Sequence, residues 1–152
     1  MKKAVSDLNF GDLLDAVGEV VADRPALVCG PLTRSWREFS ERTNRLARHL
    51  MALGLEPGAK VAFYLRNSPS YVELLAACFK ARLTHVNVNY RYLDEELYHI
   101  FDNSDAAAIA YDPEFRPHVQ ALRPRLQKVR VFFESEIGQH GEDAQSLEQG
   151  CV

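Results

Sequence analysis

The sequence predicts an α/β domain in which a parallel sheet is flanked by helices. Three observations lead there. Lys60-Val61-Ala62-Phe63-Tyr64-Leu65 is short, apolar and β-favouring. Tyr71, Leu74, Leu75 and Cys78 follow at helical spacing, and His85-Val86-Asn87-Val88-Asn89 then reads as a second strand. Strands joined through a helix return to one sheet by a right-handed parallel crossover. The alternation then continues, with Ala106 to Tyr111 and Val129 to Phe133 as third and fourth strands.

The elements can be justified in order. Asn9 is placed to cap a helix whose Phe10, Leu13, Leu14, Val17, Val20 and Val21 make a single apolar face. Arg24-Pro25 ends it. Ala26 to Cys29 and Thr33 to Ser35 flank Gly30-Pro31 as two short strands around a turn. Ser35-Trp36-Arg37-Glu38 has the capping-box form. Phe39, Thr43, Leu46, Ala47 and Leu50 form the inward face of the next helix, and Gly54 stops it. Arg42, Arg45 and Arg48 lie off that face and are read as solvated.

Pro57-Gly58 leads into the Val61–Leu65 strand. Ser68 can cap the following helix, with Pro69 at its first position, where the missing N–H costs nothing. After the Val86–Asn89 strand, Asp94-Glu95-Glu96 sits in a first helical turn, where the macrodipole favours carboxylates. Neighbouring residues on a helix point apart, which disfavours a metal site there. Leu93, Leu97, Ile100 and Phe101 make that helix's packing face. Asp112-Pro113 opens a further helical pattern through Phe115, Val119 and Leu122, and Pro124 stops it.

At 152 residues the chain suits one domain with a substantial core. Its net charge of -3 offers no basic field to nucleic acid or an anionic membrane. Cys29, Cys78 and Cys151 lack zinc spacing and a disulfide pattern, and no run is apolar enough to span a bilayer, so a cytoplasmic location is expected. From Glu134 onward the chain is acidic, has no Lys or Arg and loses its periodicity. Residues 1–133 therefore read as an α/β subdomain and 134–152 as an acidic linker.

No stand-alone catalytic motif is present. There is no phosphate-binding glycine loop, no G-x-G-x-x-G after the Val61 strand, and no zinc-protease or nucleophile-elbow pattern. Cys78, on an inward helix face, reads as a packed thiol, and His85 as structural. One local hint remains: Tyr90-Arg91-Tyr92 follows a parallel strand, where α/β folds place ligands. A ring beside a guanidinium could stack a base and grip a phosphate.

A set of ordered motifs goes further. These are Pro25-Ala26-Leu27-Val28, Ser35-Trp36-x-Glu38-Phe39, Asn44-Arg45-Leu46-Ala47, Gly54-Leu55-Glu56-Pro57-Gly58 and Val61-Ala62. Asn67-Ser68-Pro69, Ala77-x-x-Lys80-Ala81, Val88-Asn89-Tyr90-Arg91-Tyr92, Glu96-Leu97 and Asp102-Asn103-Ser104-Asp105 continue the set. Their order resembles the amino-terminal part of the large domain of adenylate-forming ligases, in the fatty-acyl-CoA synthetase branch, from about Leu8 to Tyr111 and more loosely to Phe133. The resemblance implies ATP-dependent formation of an acyl-adenylate and then a thioester with CoA. ATP, Mg2+ and CoA would be the cofactors, and a fatty acid or related carboxylic acid the substrate.

By that carry-over Tyr90, Arg91 and Arg116 are the candidate CoA-binding residues, with no catalytic residue and no metal ligand in this stretch. The family's phosphate loop, adenine motif, ribose aspartate and catalytic lysine do not occur among these 152 residues. The chain is therefore expected to be an amino-terminal piece, inactive alone, whose partner is the remainder of the ligase; a homo-oligomer is compatible with it. The family usually has glycine where Arg82 stands, and a turn requiring φ > 0 would be strained there. On the residue pattern alone, a small nucleotide-binding domain or a non-catalytic interaction module remain alternatives.

Overall fold

The computed structural model describes residues 8–135 and 145–146. Helix α1 (Phe10–Val20) precedes an antiparallel hairpin of β1 (Pro25–Cys29) and β2 (Leu32–Ser35), which leads into α2 (Trp36–Ala52). Then come β3 (Lys60–Tyr64), α3 (Pro69–Lys80), β4 (Thr84–Asn87), α4 (Asp94–Asn103) and β5 (Ala106–Tyr111). A short 3-10 turn, α5 (Arg116–Leu122), β6 (Val131–Glu134) and β7 (Gln145–Ser146) complete the described chain. Strands β3 to β7 form one parallel sheet in the order β4-β3-β5-β6-β7, the α/β architecture expected.

Alternation along each strand divides the core in two. Val61, Phe63, Ala108, Ala110, Val131 and Phe133 face α2 and α3, where Leu46, Leu50, Leu74 and Cys78 are fully or almost fully buried. Ala62, Tyr64, Ile109, Tyr111 and Phe132 face α4 and α5, against Leu97, Phe101, Phe115 and Leu122. Cys78 is a packed thiol, and its burial pushes its pKa well up.

The expected caps form. Asn9 and Asp12 exchange side-chain to backbone hydrogen bonds, both at 3.0 Å. Ser35 and Glu38 do the same at α2, and the Ser68 hydroxyl accepts the Tyr71 N–H at 3.2 Å with Pro69 at the first helical position. Gly54 follows α2 with φ +82°, a conformation it adopts without strain. Arg82 occupies the same left-handed region at φ 58° after α3. The Leu83 N–H reaches back to the Cys78 carbonyl at 2.8 Å and the Arg82 N–H to that of Phe79 at 3.1 Å. This helix-ending geometry demands positive φ whichever residue stands there.

Several sequence expectations shift. The second strand runs Thr84–Asn87 rather than Val86–Asn89, because its register is set by β3, whose Lys60 pairs with Thr84 and Phe63 with Asn87. Strand β6 begins at Val131 instead of Val129, because the Val129 N–H is used in a turn with the Leu126 carbonyl. It also ends one residue later, at Glu134. Glu134 and Ser135, placed by sequence in the acidic linker, are buried, and Gln145–Ser146 pair in parallel with Phe133–Glu134.

One expectation is overturned. Arg42 is not solvated: its guanidinium grips Glu73, which is 1% exposed, through two bonds of 2.7 and 3.0 Å. Arg34 of β2 approaches the same carboxylate at 3.0 Å, so the hairpin, α2 and α3 converge on one buried charge. The apolar face of α1 is turned outward. The helix turns Gly11 and Gly18 inward, while Phe10, Leu13, Val17 and Val20 are exposed. Close approach explains this: a Cβ on Gly11 would lie 2.7 Å from the Lys80 Cα.

Candidate functional site

The crossover from β3 to β4 runs through α3 on one face, and the crossover from β5 to β6 through α5 on the other. The carboxyl ends of the adjacent strands β3 and β5 therefore border a topological switch point, the place where such sheets receive ligands. Arg66, just after β3, spans this point. Its backbone N–H donates to Asp112 Oδ2 at 2.6 Å, and its guanidinium makes two bonds to Glu114, at 2.5 and 3.1 Å. The same guanidinium lies 4.6 Å above the Tyr90 ring and 5.6 Å from that of Phe115. The Arg66 contact holds the Glu114 pKa below the usual carboxylate range.

Tyr90 and Arg91 sit in a tight turn beyond β4. The Tyr92 N–H donates to the Asn89 carbonyl and the Arg91 N–H to Asn89 Oδ1, both at 3.0 Å. The buried Tyr64 hydroxyl donates to the Tyr92 carbonyl at 2.9 Å and pins the turn to the sheet. Arg91 is exposed, 5.4 Å from the Tyr90 ring, so one ring contacts two cations. Behind the turn, Asn67, Tyr71, Asn87, Asn89, Tyr90 and Tyr92 border a cleft of about 530 Å³. At its foot the Tyr71 hydroxyl lies 3.0 Å from His85 Nε2 and 3.3 Å from Asn87 Oδ1. Burial lowers the His85 pKa, in keeping with a structural histidine packed 4.5 Å from the Phe63 ring.

Arg116 stands apart from the Tyr90–Arg91 pair. It follows β5 and forms an ion pair with Glu134, which is almost wholly buried at the end of β6. Burial, with Glu134 next, pushes the Tyr111 hydroxyl up to about 12. Ser135 donates to Asp112 Oδ1 at 2.5 Å, so the ends of β3, β5 and β6 are tied through Asp112. Of the three sequence candidates, Tyr90 and Arg91 are brought together, while the Arg116 charge is met by Glu134. Sequence reading missed Arg66, the cation that links Tyr90 to Glu114. Its position directly after a parallel strand was the available signal.

An exposed guanidinium beside a partly exposed ring suits a base and phosphate, and Tyr90 and Arg91 fit on that ground. For Mg2+ no ligand set is found among the described residues, where no three His, Cys, Asp or Glu side chains converge. Asp94, Glu95 and Glu96 diverge: Glu95 pairs with Arg125 at 2.6 Å, and the Glu96 carboxylate accepts the Leu93 N–H at 3.5 Å. No helix among the described residues is long and apolar enough to cross a membrane.

Comparison with known proteins shows the family of the chain. The family model of AMP-binding enzymes matches residues 14–149. A 3-oxocholest-4-en-26-oate–CoA ligase of Rhodococcus rhodochrous is 38% identical over 131 residues, 86% of this chain and 24% of that protein. A medium/long-chain-fatty-acid–CoA/3-oxocholest-4-en-26-oate–CoA ligase of Mycobacterium marinum is 34% identical over 95% of this chain and 26% of its own length. The crystal structure of a long-chain-fatty-acid–CoA ligase from Archaeoglobus fulgidus superposes with a TM-score of 0.84 at 23% identity, covering 95% of this chain and 29% of that one. The chain thus spans about a quarter of the length of the curated relatives it matches. With the family model matched from residue 14 to residue 149, this chain belongs to the AMP-binding enzyme family.

Proposed function

We propose that this chain is the amino-terminal part of the large domain of a cytoplasmic acid–CoA ligase whose substrate is a fatty acid or a related carboxylic acid. The observation that carries the reading is the 38% identity to a CoA ligase over 86% of the chain. In such an enzyme ATP, with Mg2+, would activate the carboxylate, and CoA would supply the thiol that accepts the acyl group.

Within that reaction, Tyr90 offers a ring face to the adenine of CoA and Arg91 a guanidinium to its phosphates. The Tyr64 hydroxyl and Asn89 hold the turn that carries both residues. Arg66 braces the Tyr90 ring and is itself fixed by Glu114. Pre-setting the ring in this way reduces the ordering cost of stacking. Arg116, neutralised by buried Glu134, supports the strand end and is the weakest of the three candidates as a direct phosphate contact.

Pyrophosphate release is the test. The complete protein carrying this chain should release pyrophosphate from ATP when given a fatty acid and CoA, and the 152-residue chain alone should not. Turnover by the isolated chain above a blank, or none by the complete protein with any carboxylic acid tried, would overturn the reading.

A further inference from the structure

The Tyr71 hydroxyl carries one hydrogen and faces two acceptors. His85 Nε2 lies 3.0 Å from it and Asn87 Oδ1 3.3 Å. Only the fold brings these groups together: Tyr71 stands in the first turn of α3, and His85 and Asn87 occupy alternate positions of β4. Alternation puts His85 and Asn87 on the same face of that strand. Tyr71 and Asn87 border the cleft behind the Tyr90–Arg91 turn. Asn87 also stands two residues before Asn89, whose side chain accepts the Arg91 N–H at 3.0 Å. The three groups therefore lie at the root of the turn that carries the candidate binding residues.

A neutral imidazole has one bare nitrogen and one N–H. With Nε2 bare, it takes the Tyr71 hydrogen over the shorter of the two contacts, and Asn87 Oδ1 is left open to the cleft. An imidazolium has no bare nitrogen. Its Nε2–H then donates to the Tyr71 oxygen, and the Tyr71 hydrogen turns to Asn87 Oδ1. One proton on His85 thus reverses one hydrogen bond and makes another. The surroundings make His85 the group that titrates. From β3, Val61 pairs with it and the Phe63 ring packs edge-on at 4.5 Å; from α3, the Tyr71 ring lies at 6.0 Å. Burial is the one cause that lowers its pKa, so no charged group among the described residues holds it. Tyr71, its titratable neighbour, is pushed up by burial and keeps its hydrogen through the neutral range.

We propose that Tyr71, His85 and Asn87 form a pH-sensitive hydrogen-bond switch at the foot of the cleft. In the neutral state Asn87 presents its carbonyl oxygen to a ligand. In the protonated state Tyr71 engages that oxygen and holds the carboxamide back, so binding at the cleft weakens on the acid side of the His85 midpoint. That CoA is the ligand affected rests on the reading of this site given above; the switch itself does not.

Nitrogen-15 NMR of the histidine rings tests it in this chain, with His85→Gln supplying the assignment. At about pH 8 the His85 ring should carry its hydrogen on Nδ1 and leave Nε2 bare, and both nitrogens should be protonated below a midpoint under 6.5. Asn87→Ala removes an acceptor that only the protonated state uses, so the midpoint should fall by about half a unit more. In a Tyr71→Phe background the same substitution should move nothing. A hydrogen on Nε2 at about pH 8, or a midpoint that Asn87→Ala leaves in place, would overturn the proposal. In the complete ligase the Michaelis constant for CoA should rise severalfold as pH falls through the midpoint, and His85→Gln should remove that rise. A switch seen by NMR with no His85-dependent change in the CoA constant would remove CoA from the cleft and leave the switch standing. The wrong tautomer in an active ligase would remove the switch alone.

Discussion

The Arg66 guanidinium lies 4.6 Å above the Tyr90 ring while its Nε and Nη2 bond Glu114. Tyr90 follows β4, Arg66 follows β3 and Glu114 follows β5, so one side chain ties three strand ends together. A double-mutant cycle of Arg66→Ala and Tyr90→Ala should give a coupling of about 0.5–1 kcal/mol in urea unfolding, the range for an exposed cation–ring pair. Additive effects would mean that the ring is not braced.

Arg91→Ala addresses binding. In the complete ligase it should raise the Michaelis constant for CoA severalfold and leave acyl-adenylate formation unchanged, since an exposed charged contact contributes up to about 1 kcal/mol. Steady-state kinetics with varied CoA, beside a pyrophosphate-exchange assay, separates the two half-reactions. Equal losses in both would indicate a folding role.

Glu73→Ala should be the most damaging of these changes to stability. It leaves Arg42 and Arg34 facing each other in a largely buried space without their shared carboxylate. Removing one partner of a buried pair costs about 3–5 kcal/mol, and the low end is expected because both arginines keep some solvent contact. The urea midpoint should fall accordingly, and an unchanged midpoint would refute this account.

Arg82→Gly should do the opposite. The residue sits at φ 58°, and the ion pair it would lose, to Asp12 at 3.8 Å, is a partly exposed one. Relief of left-handed strain contributes about 1 kcal/mol, offset by the greater unfolded-state freedom of glycine. A small rise in melting temperature is expected, and a clear fall would mean that the Asp12 contact outweighs the strain.

His85 sets a pH dependence. Its folded pKa is lowered by burial from the ordinary 6.5. The unfolded chain therefore takes up the proton first as pH falls. The His85 contribution is complete above about 6.5 and is lost below it. Carboxylates held low by cationic partners, such as Glu95 and Glu114, act only in a more acidic range. His85→Gln should flatten the stability profile just below pH 6.5. A profile unchanged by the substitution would exclude His85 as its source.

Local chemistry made most of the architecture legible. The caps at Asn9, Ser35 and Ser68, the breakers at Gly54 and Pro57-Gly58, and the period of each apolar run act over four residues or fewer, so the sequence by itself determined the α/β order. The Tyr90-Arg91 turn could also be read, because it follows a strand directly. Strand ends could not, because pairing between strands distant in sequence sets them: β4 begins at Thr84 opposite Lys60 and ends at Asn87 opposite Phe63. Arg42 and Glu73 are thirty-one residues apart, and only the packing of α2 on α3 creates their bond. The same holds for Arg66 and Glu114. Helix α1 is the clearest divergence. Its sequence specifies an apolar face, but which face points inward was decided in three dimensions, where Gly11 and Gly18 allow an approach that no larger residue could.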